Sequence, residues 1–156
     1  MRLTESSCVK PFTIETVQRP WGYFGLYSNN EPCTCKILYI KKGESLSLQY
    51  HFKRDQFYMS LDDGFIVEYS SIPVPFDILN EPNDDIRIRG FSLFLEKNLL
   101  TFPADEGAMF GFHRYVVHRA TYTGTRAYGR VLDLAFGVND ESDIIRLKDN
   151  YGRSDI

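Results

Sequence analysis

The stretch "LSLQYHFKRDQFYMS", Leu46 to Ser60, decides the fold. Apolar and polar residues alternate through it, and a turn-like Phe52-Lys53-Arg54 interrupts the alternation. Period two is the mark of strands whose two faces meet different surroundings. Residues two apart on a strand share a face, so Gln49 and His51 point the same way. Asp55 and Gln56 open the next strand, where a hairpin return brings one of them back beside the first pair. A metal site, the remnant of one, and a polar edge strand without chemistry are the three readings open at this point.

The same pattern runs outward along the chain. "TIETVQ", "WGYFGLYS", "CTCKILYIK" and "GFIVEYS" read as strands. So do "IRIRGFSLFLE", "KNLLTFP", "GAMFGFH", "VVHRATYT" and "GRVLDLAFGV". All are short and rich in β-branched and aromatic residues. The fold class is therefore all-β, one domain over 1–156, built as a closed barrel or double-sheet jelly roll. Residues 1–16 form a leader strand. A short C-terminal helix or turn is expected at Asp143 to Asp149, opened by the cap-like "NDES". "SSIPVPFDILNEPNDD" carries three prolines. It reads as an insertion loop over 70–86, because proline cannot donate to a ladder.

Composition sets limits. Hydrophobic residues make up 43% and aromatics 15%, which excludes disorder over most of the chain. With 18 basic and 21 acidic residues there is no cationic excess for nucleic acid or a membrane surface. No apolar run has membrane-spanning length, and the N-terminus lacks the apolar core of a secretory leader. The cysteines Cys8, Cys33 and Cys35 suit a reducing cytoplasm. Cys33 and Cys35 read first as small residues packing one strand face, and only second as chelators.

The three histidines are His51, His113 and His118. A strand supplying a His, with a carboxylate from the next strand and a His from a distant one, makes a workable first shell for a divalent cation. Packed, hydrogen-bonded core histidines are the competing reading. "RPWG" is read as structural, with Trp21 burying apolar area at a sheet or subunit contact.

Gly43, five residues, Gln49-x-His51 and a short spacer to Asp55 or Gln56 resemble the first motif of the cupin superfamily, which reads Gly, a spacer, His-x-His, a spacer and a Glu that aligns best with Gln56. Gly107, five residues, His113-Arg114-Tyr115, two residues and His118 resemble the second, with its Pro-x-Gly lost. Together with "RPWGYFGLYS", "KKGESLSLQYHFKR" and "DIIRLKDNYGR", the chain is similar to the C-terminal cupin domain of type II mannose-6-phosphate isomerases. Those are often fused to a mannose-1-phosphate guanylyltransferase. The Gly-rich signature of that nucleotidyltransferase is absent, so pyrophosphorylase activity is not expected.

The resemblance implies a double-stranded β-helix, the cupin jelly roll. It implies a metal shell of Gln49, His51, Gln56 and His118, with Asp55 as the alternative third ligand and Zn²⁺ as the first choice of ion. The implied reaction is aldose–ketose isomerisation of mannose 6-phosphate to fructose 6-phosphate. Asp55 and His113 are the catalytic candidates, with Glu68 a third. Lys53, Arg54, Arg119 and Arg153 are the candidates for holding substrate, with Arg114 nearby. The expected partners are a sugar phosphate or nucleotide sugar and a second copy of the chain. The alternative function is a non-catalytic cupin with a degenerate metal site that binds the same ligands.

Overall fold

The computed structural model describes residues 14–30 and 33–155. Cys8 and most of the expected leader strand lie outside the described residues. The first strands are β1 (Glu15–Arg19), β2 (Gly22–Ser28), β3 (Thr34–Lys41), β4 (Leu48–His51), β5 (Arg54–Ser60) and β6 (Phe65–Ser70). Helices α1 (Phe76–Leu79) and α2 (Asp84–Asn98) follow. The chain then forms β7 (Leu99–Ala104), β8 (Met109–Phe112), β9 (His118–Tyr122), β10 (Tyr128–Gly137) and β11 (Ile144–Lys148). A six-stranded sheet runs β1-β2-β3-β10-β5-β8 and a five-stranded sheet runs β11-β4-β9-β6-β7. Every pairing is antiparallel. This is the expected double-sheet jelly roll.

The inward residues of both sheets make one core, including Leu38, Ile40, Tyr58, Phe65, Val67, Phe112, Ala120, Tyr122 and Val131. A second cluster lies outside the five-stranded sheet. There Phe91, Phe94 and Leu95 of α2 pack with Leu48, Tyr50, Val74, Val117 and Leu147. All four residues of β4 are buried for this reason, Leu48 and Tyr50 under the helix and Gln49 and His51 on the inner side.

Three expectations are corrected. "IRIRGFSLFLE" is helix, not strand. Asn83 caps it by accepting from Ile86 N at 3.1 Å, and Asp84 and Asp85 occupy the first turn. Its buried residues, Phe91, Phe94 and Leu95, are spaced i, i+3, i+4, whereas the alternating Ile86 and Ile88 are exposed. The proline-rich 70–86 segment is not all loop, for it contains α1 and the start of α2. At the C-terminus, the Asp140 side chain caps only a 3₁₀ turn, Glu141–Asp143, because Ile144–Lys148 pairs with β4 as a strand.

The chain also changes sheets where a hairpin was expected. β4 lies in the five-stranded sheet and β5 in the six-stranded one. His51 and Gln56 therefore face each other across the barrel and not along a ladder.

The glycines that open the two motifs, Gly43 and Gly107, have φ of 83° and 86°, a region that favours glycine. Tyr115 stands where the second motif has its last glycine and keeps a φ of 66°. Ring contacts with Phe52 and Phe76 hold it there.

Candidate functional site

Between the sheets lies a cavity open to solvent. Gln49, Gln56, Ser47, Tyr58 and Asp133 line it, with Trp21, Phe24 and Leu38 on its apolar side. Arg19, Lys36, Arg54, Arg146 and Arg153 supply its cations. Gln49 of β4 is in register with His118 of β9. His51 and His118 are buried, with Gln56 against both imidazoles. Four of the expected residues, Gln49, His51, Gln56 and His118, thus converge.

The hydrogen bonds define the state of this ring. His51 Nδ1 donates to Asp143 O at 3.3 Å, and His118 Nδ1 donates to Val116 O at 3.0 Å. A neutral imidazole that donates from Nδ1 has a lone pair on Nε2. Burial holds both rings neutral. It is the main cause that pushes His51 down to about 2, with His118 and Arg54 adding to the shift, and His118 down to about 4. Each Nε2 lies 2.8 Å from Gln56 Oε1, while Gln56 Nε2 donates to Asp133 Oδ1 at 2.7 Å.

Three lone pairs facing one another require either hydrogen-bond donors or a cation between them. One solution is internal. A half-turn of the amide directs its two N–H bonds at the two imidazoles and its oxygen at a protonated Asp133. Burial does raise the Asp133 carboxyl above its usual range. The other solution is a shared cation. Metal–nitrogen bonds of about 2.0–2.1 Å in a tetrahedron place donors roughly 3.3 Å apart. Gln49 Nε2 lies 3.4 Å from His51 Nε2, but its oxygen is engaged by the Ser47 hydroxyl at 2.5 Å. The two imidazole nitrogens and the Gln56 oxygen are three donors that bring an ion no negative charge. Among the described residues no group of three His, Cys, Asp or Glu is arranged to hold a metal.

The remaining candidates divide. Asp55 lies on the outer face of β5, accepts from Arg114 N at 2.9 Å and stands 3.6 Å from His113 Nδ1. His113 is 89% exposed, and neither residue lines the cavity. Asp55 therefore does not complete the ring, and neither it nor His113 is placed to act on a ligand inside the barrel. The strand alternation that turns Gln56 inward turns Asp55 outward. Arg119 and Glu68 form a two-bond ion pair with each other, away from the cavity. Lys53 and Arg114 are exposed. Arg54 and Arg153 do line the cavity. Arg153 is held by Asp149 at 2.7 Å and lies over the Tyr151 ring. Trp21, expected at a sheet or subunit contact, faces the cavity.

Sequence reasoning missed Lys36, Asp133 and Asn139. Lys36 and Asp133 are in register on β3 and β10, both on the inner face. A charged residue on the apolar face of an alternating strand was the available signal, in "TCKIL" and "VLDLAF".

Residues 10–71 match the family model described as Mannose-6-phosphate isomerase C-terminal. Curated proteins yield no match. Among solved structures, the capsular polysaccharide assembling protein CapF from Staphylococcus aureus superposes with a TM-score of 0.60 at 9% identity, over 94% of this chain and 35% of that one. The chain thus spans about a third of the length of the CapF structures it matches. KdgF from Halomonas sp. gives 0.55 at 12% identity, over 82% and 90% of the two chains. The Drosophila melanogaster CENP-C cupin domain gives 0.54 at 11%, over 78% and 74%. At such identities these likenesses show the fold, a cupin. The resemblance read from the sequence stands.

Proposed function

We propose that this chain, a cupin domain related to the C-terminal domain of mannose-6-phosphate isomerases, binds a sugar phosphate or nucleotide sugar in the barrel cavity without turning it over. The observation that carries this reading is Gln56. It stands between two neutral imidazoles and is tied to Asp133, at the position where the related motif has a glutamate. An amide offsets less of a dication's desolvation than a carboxylate does. Proton transfer between C1 and C2 needs a base within hydrogen-bond reach, and the three nominated bases, Asp55, His113 and Glu68, lie outside the cavity. Binding needs less. Amides of Gln49 and Gln56 and the Ser47 hydroxyl suit sugar hydroxyls, and Trp21 offers an apolar ring.

One observation favours the second reading, a metal-dependent isomerase. Both imidazoles donate from Nδ1 to main-chain carbonyls, which leaves Nε2 free as a ligand. His51, His118 and Gln56 would hold the ion, with Zn²⁺ the first choice. When bound, it would polarise a carbonyl oxygen.

A coupled assay of mannose 6-phosphate to fructose 6-phosphate, with and without Zn²⁺, separates the readings. Binding without turnover is the expected result. Zn²⁺-dependent turnover would replace it with the isomerase.

The chain is proposed to pair with a second copy. The outward residues Ile37, Phe57, Leu132 and Leu134 of the six-stranded sheet are only half-buried, and sedimentation equilibrium tests the pairing. No helix among the described residues is long and apolar enough to cross a membrane. Cys33 and Cys35 are free, in keeping with a reducing cytoplasm as the proposed location.

A further inference from the structure

Two cations in the cavity wall form no ion pair among the described residues, although the Asp133 carboxyl attracts both from a distance and Glu141 attracts Lys36. The Arg54 side chain is buried, with 3% of the residue exposed. Its Nη1 donates to Asn139 Oδ1 at 2.7 Å, and its Nε is buried with no hydrogen-bond partner. Lys36 Nζ donates to the same Asn139 oxygen at 3.1 Å and lies 5.1 Å from the centre of the Phe24 ring. Among the described residues neither forms an ion pair, whereas Arg19, Arg119, Arg126, Arg130, Arg146 and Arg153 all do.

Burying a cation without a contacting anion is costly. A single neutral amide oxygen shared between two of them offsets little of the cost, and the buried Asp133 carboxyl is engaged by Gln56. Burial also lowers the Lys36 ammonium from its usual range. Both cations line the inner cavity, and with Asn139 they also line the groove that continues from it past Phe24 and Glu141. The position is therefore open to a ligand from two sides.

We propose that Arg54, Lys36 and Asn139 form an anion subsite that takes a phosphate monoester, with the rest of the ligand directed toward Gln49 and Gln56. The guanidinium presents a planar fork suited to two phosphate oxygens. Lys36 supplies a point charge, and Asn139 sets the separation of the two. This deepens the binding reading given above and rests on it for the sugar part of the ligand.

Trp21 is the only tryptophan and lines the same cavity, so its emission reports occupancy. Wild-type protein is titrated with inorganic phosphate, mannose and mannose 6-phosphate at constant ionic strength. Phosphate is expected to shift the emission and raise Tm, and mannose 6-phosphate to bind at least tenfold tighter than mannose. Arg54→Gln and Lys36→Met are each expected to weaken phosphate at least tenfold, while Arg89→Gln on the exposed side of α2 leaves it unchanged. Asn139→Asp guards against simple misfolding. It supplies a contacting anion in place, so it is expected to raise Tm and abolish phosphate binding. Equal phosphate affinity in wild type, Arg54→Gln, Lys36→Met and Asn139→Asp overturns the subsite, as does no response to phosphate in the wild type. Mannose binding without any phosphate effect removes the subsite and leaves the carbohydrate reading. Phosphate binding with no added affinity for mannose 6-phosphate does the reverse.

Discussion

Gln56 and Asp133 meet on the inner face of the six-stranded sheet, 2.7 Å apart, diagonally across β5 and β10. Gln56 is in register with Ala135 and Asp133 with Tyr58, so the contact spans one step of the ladder. It links the imidazole pair to the cation-lined wall.

Gln56→Glu sets two carboxyl groups at that distance inside the barrel, and one must hold a proton or attract a cation. The metal-free variant is expected to lose about 1–3 kcal/mol of stability. Zn²⁺ is expected to restore it and to bind more tightly than in the wild type. Thermal melts with and without the ion measure both effects, and a variant as stable as wild type without metal contradicts the expectation.

Acid should destabilise the protein above the carboxylate range. The unfolded histidines titrate near 6.5, and the native rings lie far lower, at about 4 for His118. Above pH 6.5 neither state binds the proton, and stability is complete. Below it the unfolded chain gains protons that the native rings refuse, so stability falls until the native ring itself titrates. For His118 the loss by pH 4 is on the order of 3 kcal/mol, and His51 acts in the same direction. Urea midpoints between pH 7 and 4.5 should fall, and His118→Asn should flatten the slope.

Asp143 is the fastening of the cavity rim. Its buried carboxylate accepts from Phe52 N at 3.0 Å and Lys53 N at 2.9 Å, and its carbonyl oxygen orients His51. Asp143→Ala is expected to cost about 2–3 kcal/mol, because two part-buried main-chain donors lose a charged acceptor. Asp143→Asn keeps an acceptor oxygen and should cost less. Chemical denaturation of the two variants orders them.

Gly129 lies so close to Tyr122 and Phe65 that an added Cβ would sit 2.2 Å from Tyr122 Cδ2 and 2.7 Å from Phe65 Cζ. Gly129→Ala should cost roughly 1–3 kcal/mol or more through overpacking. A thermal melt equal to that of wild type would mean the core has slack at this end.

How much of this was legible in the sequence depends on the neighbourhood of each residue. Strand alternation placed Gln49 and His51 on one face because that depends only on local period, whereas His118 came in through the resemblance to the second cupin motif. Asp55 and Gln56 could not be separated until the register of β5 against β10 fixed which of them turned inward. The helix over 84–98 was read as strand because Ile86-Arg87-Ile88 alternates. Its true face, Phe91, Phe94 and Leu95, is set by the sheet beneath it. Lys36 and Asn139 are 103 residues apart, and no local pattern joins them.

The long reach of these contacts bears on the order in which the protein becomes itself. Within residues 10–71, β3 and β5 are complete, but both pair with β10, and β4 pairs with β11 and β9. A nascent chain that has emerged only as far as Ser70 holds every motif residue of the first half and has nowhere to dock them. Loop closure over some ninety residues must come before His51 acquires the carbonyl that sets its tautomer. Assembly of the pocket is therefore a terminal event, simultaneous with closing of the barrel, and a ligand added during refolding should accelerate nothing before that step.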